Sequence, residues 1–298
     1  MTESRTLLWL DDERDPTDSR VGIPLTDPIS SSSESSEQAP VKISHLDISQ
    51  AASSQPYQLT VKRGFLALFI MYASQTLVGL GFAYGVRFIR GTSDGEGTID
   101  IQMIGMTSVL IGGAIVLLWV WTDIRRLGPS FLPQIGLQQS VIKTSQAVML
   151  VFLLLSATHF LAWTYRSLIL PLVGQGGIIG GGSQMFAHIQ ETGSVFGMTG
   201  FLVLALIVGP VMEEVIFRGY LQSALARRMP GWAAILITSL LFMAGHGPTI
   251  LWPMYFIYSV AWGWIFMYTK TLKMAIAIHM LSNLFYTVVA VMGWKLLA

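Results

Sequence analysis

A chain of 298 residues that is 52% apolar and only 12% charged, with a mean hydropathy of +0.58, is far greasier than an ordinary soluble domain. The net charge of +1 hides a split, with ten acidic and four basic residues in 1–60 against seven acidic and fourteen basic in the remainder. That balance points to an anionic membrane surface and away from nucleic acid, while the absence of cysteine excludes disulfides, thiolate nucleophiles and cysteine metal ligands.

Residues 1–60 contain "SSSESSEQAP" and many Asp, Ser and Pro. They show neither an amphipathic period nor the apolar core of a signal peptide, and they read as a disordered, acidic soluble tail. From Lys62 onward, apolar runs of spanning length fall near 64–86, 101–121, 146–166, 195–221, 232–248, 251–269 and 272–293. The expected fold is all-α: a polytopic transmembrane helix bundle of about seven spans, with eight as the alternative count. Its expected parts are the tail (1–60), amino-terminal spans and loops (61–193) and a carboxyl-terminal core (194–298). The stretch "FLPQIGLQQSVIKT" (131–144) mixes polar and apolar residues and is expected in the membrane interface. "GQGGIIGGGSQ", in loop 171–193, does not match GxGxxG and reads as a flexible connector.

Nine basic residues (Lys62, Arg63, Arg125, Arg126, Lys143, Arg227, Arg228, Lys270, Lys273) fall on one side of the expected spans and four (Arg87, Arg90, Arg166, Lys295) on the other. The asymmetry predicts an integral multi-pass membrane protein with a cytoplasmic amino terminus and an outside carboxyl terminus.

Acids are nearly absent from the spans. Asp123 is expected at a helix end beside Arg125 and Arg126, where a charge reaches water. Glu213 and Glu214 instead follow nineteen uncharged residues on one helix. An ionised carboxylate at mid-depth is costly, and such residues find partners or protonate. Glu214 and Arg218 are four apart and can pair on one helix face; Glu213 points about 100° away and is left free. The next span offers "FMAGH", ending on His246, and the last offers "HMLSN", with His279 and Asn283 four apart. Glu213 and His246 lie equally far from the turn at Met229-Pro230, so the spacing permits these groups to meet.

Each residue has a plainer reading. The acids could mark a helix that ends early, His246 could satisfy a carbonyl at a helix end, and His279 with Asn283 could be interhelical glue. Phe242 reads as core, and Trp252, Trp262, Trp264 and Trp294 as packing or interfacial anchors.

Together "EEVIFR", "FMAGH" and "HMLSN" fit EExxxR, FxxxH and HxxxN in that order. Residues 195–293 thereby resemble the type II CAAX prenyl endopeptidase and bacteriocin-processing family (Abi, or CPBP). The resemblance implies an intramembrane endopeptidase acting on a peptide or a lipidated protein among membrane lipids. It implies Glu213 as general base, supported by Glu214 and Arg218, His246 holding the water, and His279 with Asn283 facing the oxyanion. It leaves open a metal-dependent variant in which Glu213, His246 and His279 hold a divalent ion such as zinc. Two readings from other classes remain beside it: a non-enzymatic membrane scaffold or bacteriocin-immunity protein, and an ion pathway using buried acids. The ion pathway would want polar residues along its whole route, and the outer halves of the spans offer few.

Overall fold

The computed structural model describes residues 58–90, 101–173 and 181–292. Of the tail expected at 1–60, residues 1–57 lie outside them. Among the described residues the chain is helical, without a strand, as the apolar runs predict.

Eight helices carry the architecture: α1 (Val61–Arg90), α2 (Ile101–Leu127), α3 (Thr144–Thr164, extended through a π turn at Tyr165–Ile169 to Val173), α4 (Gly181–Thr192), α5 (Val195–Ala226), α6 (Gly231–Gly245), α7 (Trp252–Thr269) and α8 (Leu272–Val291). All seven expected spans coincide with helices. Five of them, α1, α2, α3, α5 and α8, are both long and apolar enough to cross a membrane. The shortfall has two causes. Helix α6 has only 15 residues, about 22 Å at the α-helical rise. Helix α7 is long enough, but its Trp and Tyr residues dilute its hydropathy. Outward faces carry exposed Phe69 and Leu77 on α1 and Phe152 and Phe160 on α3, the pattern of lipid-facing surfaces.

The connector at 171–193 is helical from Gly181 to Thr192, where Phe186 and Ile189 pack on Phe201 of α5. The segment at 131–144, expected in the interface, is built into the protein. Phe131 and Ile135 are fully buried, the Val141 N–H donates to the Thr269 carbonyl, and the Leu272 N–H to that of Gly136. Gln134 on the same segment accepts from the Gln58 and Leu59 N–H groups through Oε1.

Helix α5 is the axis of the bundle. Its polar residues fasten it to three neighbours through bonds made in the interior, where an unmade partner would cost more than the bond contributes. Tyr220 donates to Asp123 of α2 at 3.0 Å. Gln222, fully buried, donates to the Gly263 carbonyl of α7 at 2.9 Å and accepts from Thr238 of α6 at 3.2 Å. Asp123 therefore does not reach water as expected. It is buried, and Arg63 Nε approaches the same Oδ2 that Tyr220 bonds, at 3.6 Å.

Candidate active site

Helix α5 carries both acids and is wound unusually. π-helical stretches at Leu204–Val208 and Val215–Gln222 bracket the α-helical Gly209–Glu214. The helix continues through the acids, so they do not mark an early end. Pro210 shapes the first bulge. Gly209 N–H donates to the Leu204 carbonyl five residues back. In that register the Ala205 carbonyl would receive from residue 210, which as proline has no N–H. Asn283 of α8 supplies the missing donor, its Nδ2 lying 2.7 Å from the Ala205 oxygen.

Glu214 is fully buried and doubly held. Its Oε1 accepts from Arg218 Nη1 at 3.0 Å and lies 2.9 Å from His279 Nδ1. Arg218 is equally buried, and its Nη2 donates to the carbonyl and hydroxyl of Ser259 at 2.9 and 2.7 Å. The guanidinium also lies over the rings of Phe242 and Trp262. A buried charge survives when paired and hydrogen-bonded; here Nη1 and Nη2 are bonded, while Arg218 Nε and Glu214 Oε2 are buried without a partner among the described residues. A carboxylate can only accept, so the proton of neutral His279 sits on Nδ1 and Nε2 presents a lone pair. That nitrogen faces Glu213, at 3.8 Å from Oε2. The ring is fixed by stacking on Trp262, centroids 3.7 Å apart.

Glu213 differs from its neighbour. Its side chain is 22% accessible while that of Glu214 is fully enclosed. His246 caps α6, where Nδ1 donates to the Phe242 carbonyl at 2.8 Å. Its ring stacks on Tyr255 at 4.3 Å, which again leaves Nε2 as the acceptor. Phe242 is buried between the two imidazoles, 4.6 Å from the His246 ring and 6.1 Å from the His279 ring.

The structure thus joins Glu214, Arg218 and His279 directly. Glu213 meets the group through His279, and His246 meets it through Phe242. Asn283 faces α5 backbone. The alternative metal set is not assembled: among the described residues no three His, Cys, Asp or Glu side chains converge to hold an ion. The physical reason is visible in each imidazole. His279 is turned by its bond to Glu214, and His246 by its bond to Phe242, so their free lone pairs and Glu213 do not share a centre within ligand distance.

Two contributors escaped the sequence reading: Ser259 anchors Arg218 and Tyr255 supports His246, while Trp262, read there as a packing or interfacial anchor, supports the His279 ring. With Gly263 they fall at 255, 259, 262 and 263, one face of α7 at helical spacing, and that face was the available signal.

Comparison with known proteins follows the same residues. The model of the family described as type II CAAX prenyl endopeptidase Rce1-like matches 195–285. This segment is similar to that family. A Staphylococcus aureus (strain USA300) protein named membrane-embedded CAAX protease MroQ is 31% identical to the chain over 94 residues. That alignment covers 30% of this chain and 38% of the relative, so the two share well under half of either length. No solved structure matches. The matched segment contains all six motif residues, Glu213, Glu214, Arg218, His246, His279 and Asn283, within a multi-pass, helical membrane protein.

Proposed function

We propose that the protein is an intramembrane endopeptidase whose matched segment hydrolyses a peptide bond with water activated by Glu213. One observation carries the reading. Of two adjacent carboxylates, Glu214 is locked by Arg218 and His279 while Glu213 stays accessible beside His279 Nε2. A locked acid is a support, and an accessible one can exchange protons.

In this reading Glu213 takes a proton from water as the oxygen attacks the scissile carbonyl carbon, and later returns it to the leaving amine. His246 Nε2, its tautomer set by the Phe242 carbonyl, accepts the second hydrogen of that water and orients it. Glu214 and Arg218 fix His279, so that the imidazole keeps its distance from Glu213 through the cycle. No step runs through a metal ion. The relative's name says that it is a CAAX protease, and we extend a carboxyl-terminal peptide substrate, lipidated or not, to this chain.

The test is cleavage of a panel of prenylated and plain peptides by the purified protein in lipid vesicles, beside Glu213→Gln. The substitution keeps size and removes the base, and the expected loss is on the order of a hundredfold or more. Unchanged cleavage by Glu213→Gln at equal protein level refutes the assignment. A chelator arm reads metal dependence in the same experiment.

A further inference from the structure

The end of the bundle that carries most of the basic residues also holds a cavity of about 300 Å³, between the last turn of α5, the end of α7 and the segment at 131–144. Arg227 and Lys270 line it beside Gln138 and Ser223, and Phe266 and Met267 add apolar surface. Among the described residues no acid lines it. Arg227 also borders a second cavity of about 270 Å³, together with Arg228. The first space is at the lower end of the range for small-molecule sites, about 300–1,000 Å³, and two cations on its wall favour an anion.

Lys270 stands there against its backbone preference. It closes α7 at φ 58°, the one non-glycine residue at positive φ among those described. In that conformation a Cβ crowds the following carbonyl, and glycine is the usual occupant. The surroundings hold the turn in place. The Lys270 N–H donates to the Phe266 carbonyl, its carbonyl accepts from Gln138 Nε2 at 3.0 Å, and Thr271 Oγ1 donates to the Gln138 carbonyl at 2.8 Å. A glycine would make the same backbone bonds with less strain, so the turn itself does not call for lysine. What lysine adds is an ammonium on the cavity wall, and a residue kept in a costly conformation points to a use.

Aromatic residues mark the depth. Trp264 and Tyr268, both exposed on α7, stack at 5.1 Å within two turns of Lys270. At the same end of α2 the Arg125 guanidinium lies 3.9 Å from the ring centroid of exposed Trp121, and exposed Trp232 opens α6. Exposed Trp and Tyr on spanning helices collect where hydrocarbon meets water. The cavity is therefore level with the lipid headgroups.

We propose that this cavity binds the phosphate of an anionic phospholipid between Arg227 and Lys270, with the lipid glycerol against Phe266 and Met267. The guanidinium offers a fork and the ammonium a point charge to the phosphate oxygens, and a bilayer presents its phosphates at this depth beside apolar surface.

The test is titration of phosphatidylglycerol, phosphatidylcholine or inorganic phosphate into the full chain in neutral detergent, read by thermal midpoint and by lipid retained in native mass spectrometry. Phosphatidylglycerol should raise the midpoint saturably and remain bound, and phosphatidylcholine should do neither. Lys270→Gly keeps the left-handed turn, so its lipid-free midpoint should not fall. Its affinity should drop about fivefold, as should that of Arg227→Gln, and the double variant should lose about thirtyfold, at one membrane-surface cation each. Arg125→Gln with Arg126→Gln removes two cations that line neither cavity and should leave affinity unchanged. No saturable shift in the wild type, no loss in the double variant, or an equal loss in the Arg125/Arg126 control overturns the site. An equal shift with inorganic phosphate overturns the lipid as its source. A lower lipid-free midpoint in Lys270→Gly shows the lysine to be structural and overturns its role. Binding is read without cleavage, so Glu213→Gln should bind as the wild type does whatever the peptide panel shows.

Discussion

Arg218 shows how one side chain sets the chemistry of another. Its two terminal nitrogens serve different helices, Nη1 going to Glu214 on α5 and Nη2 to Ser259 on α7. Arg218→Met leaves a buried carboxylate without its counter-ion, and the loss should be about 3–5 kcal/mol. Denaturant titration in detergent should show it as a lower midpoint. Arg218→Lys should recover little, because an ammonium cannot reproduce the fork. Asn283 has a backbone target instead. Removing its amide in Asn283→Ala leaves the Ala205 carbonyl unpaired at a cost of about 1–3 kcal/mol, read as a lower thermal midpoint; an unshifted midpoint would show that the bond is not holding α5 to α8. The Glu214–Arg218 pair was legible in the sequence because i,i+4 spacing is a direct consequence of helical winding. The target of Asn283 was not, since a π register leaves no periodic trace and the orphaned carbonyl follows only from Pro210 combined with that register.

Among the helices, close approach is set by glycine. A Cβ on Gly112 of α2 would lie 2.8 Å from the Gln75 Cα of α1, backbone against side chain with no flexible end to yield. Ser74 bonds the Gly112 carbonyl at 3.2 Å across the same crossing. Gly112→Ala should therefore push α1 away from α2 at a cost of about 1–3 kcal/mol. Because Gln75 of α1 lies 3.5 Å from the sulfur of Met212, the residue before Glu213, cleavage per folded molecule should fall with it; a variant with full stability and activity would show that the crossing does not position α1. Most helices were legible from apolar run length, which is a bulk property. The helix at Gly181–Thr192 was not, because its glycine-rich start reads as a connector, while the apolar residues that hold it, Phe186 and Ile189, find their partner Phe201 on another helix. Asp123 was misplaced for a similar reason: a helix-end acid beside two arginines reads as solvated until Tyr220 is brought against it.

Across the whole molecule, the number of crossings decides where the chain ends relative to the membrane. Among the described residues five helices satisfy length and apolarity, and α6 and α7 each fall short on one count. Helix α6 at about 22 Å is shorter than a hydrocarbon core of about 30 Å, yet its buried residues Ala234, Thr238 and Phe242 place it against α5 and α7 beside the site. A short helix packed this way can cross if the bilayer thins around it. If the chain crosses seven times with the basic residues inside, residues 35 and 298 fall on opposite sides. The chain contains no cysteine, so single substitutions give a clean readout. In sealed right-side-out vesicles, Ala298→Cys should react with a membrane-impermeant maleimide, and Ser35→Cys should react only after permeabilisation. Reaction of both before permeabilisation would mean an even number of crossings, with α6 and α7 as the pair of helices whose passage then has to be recounted.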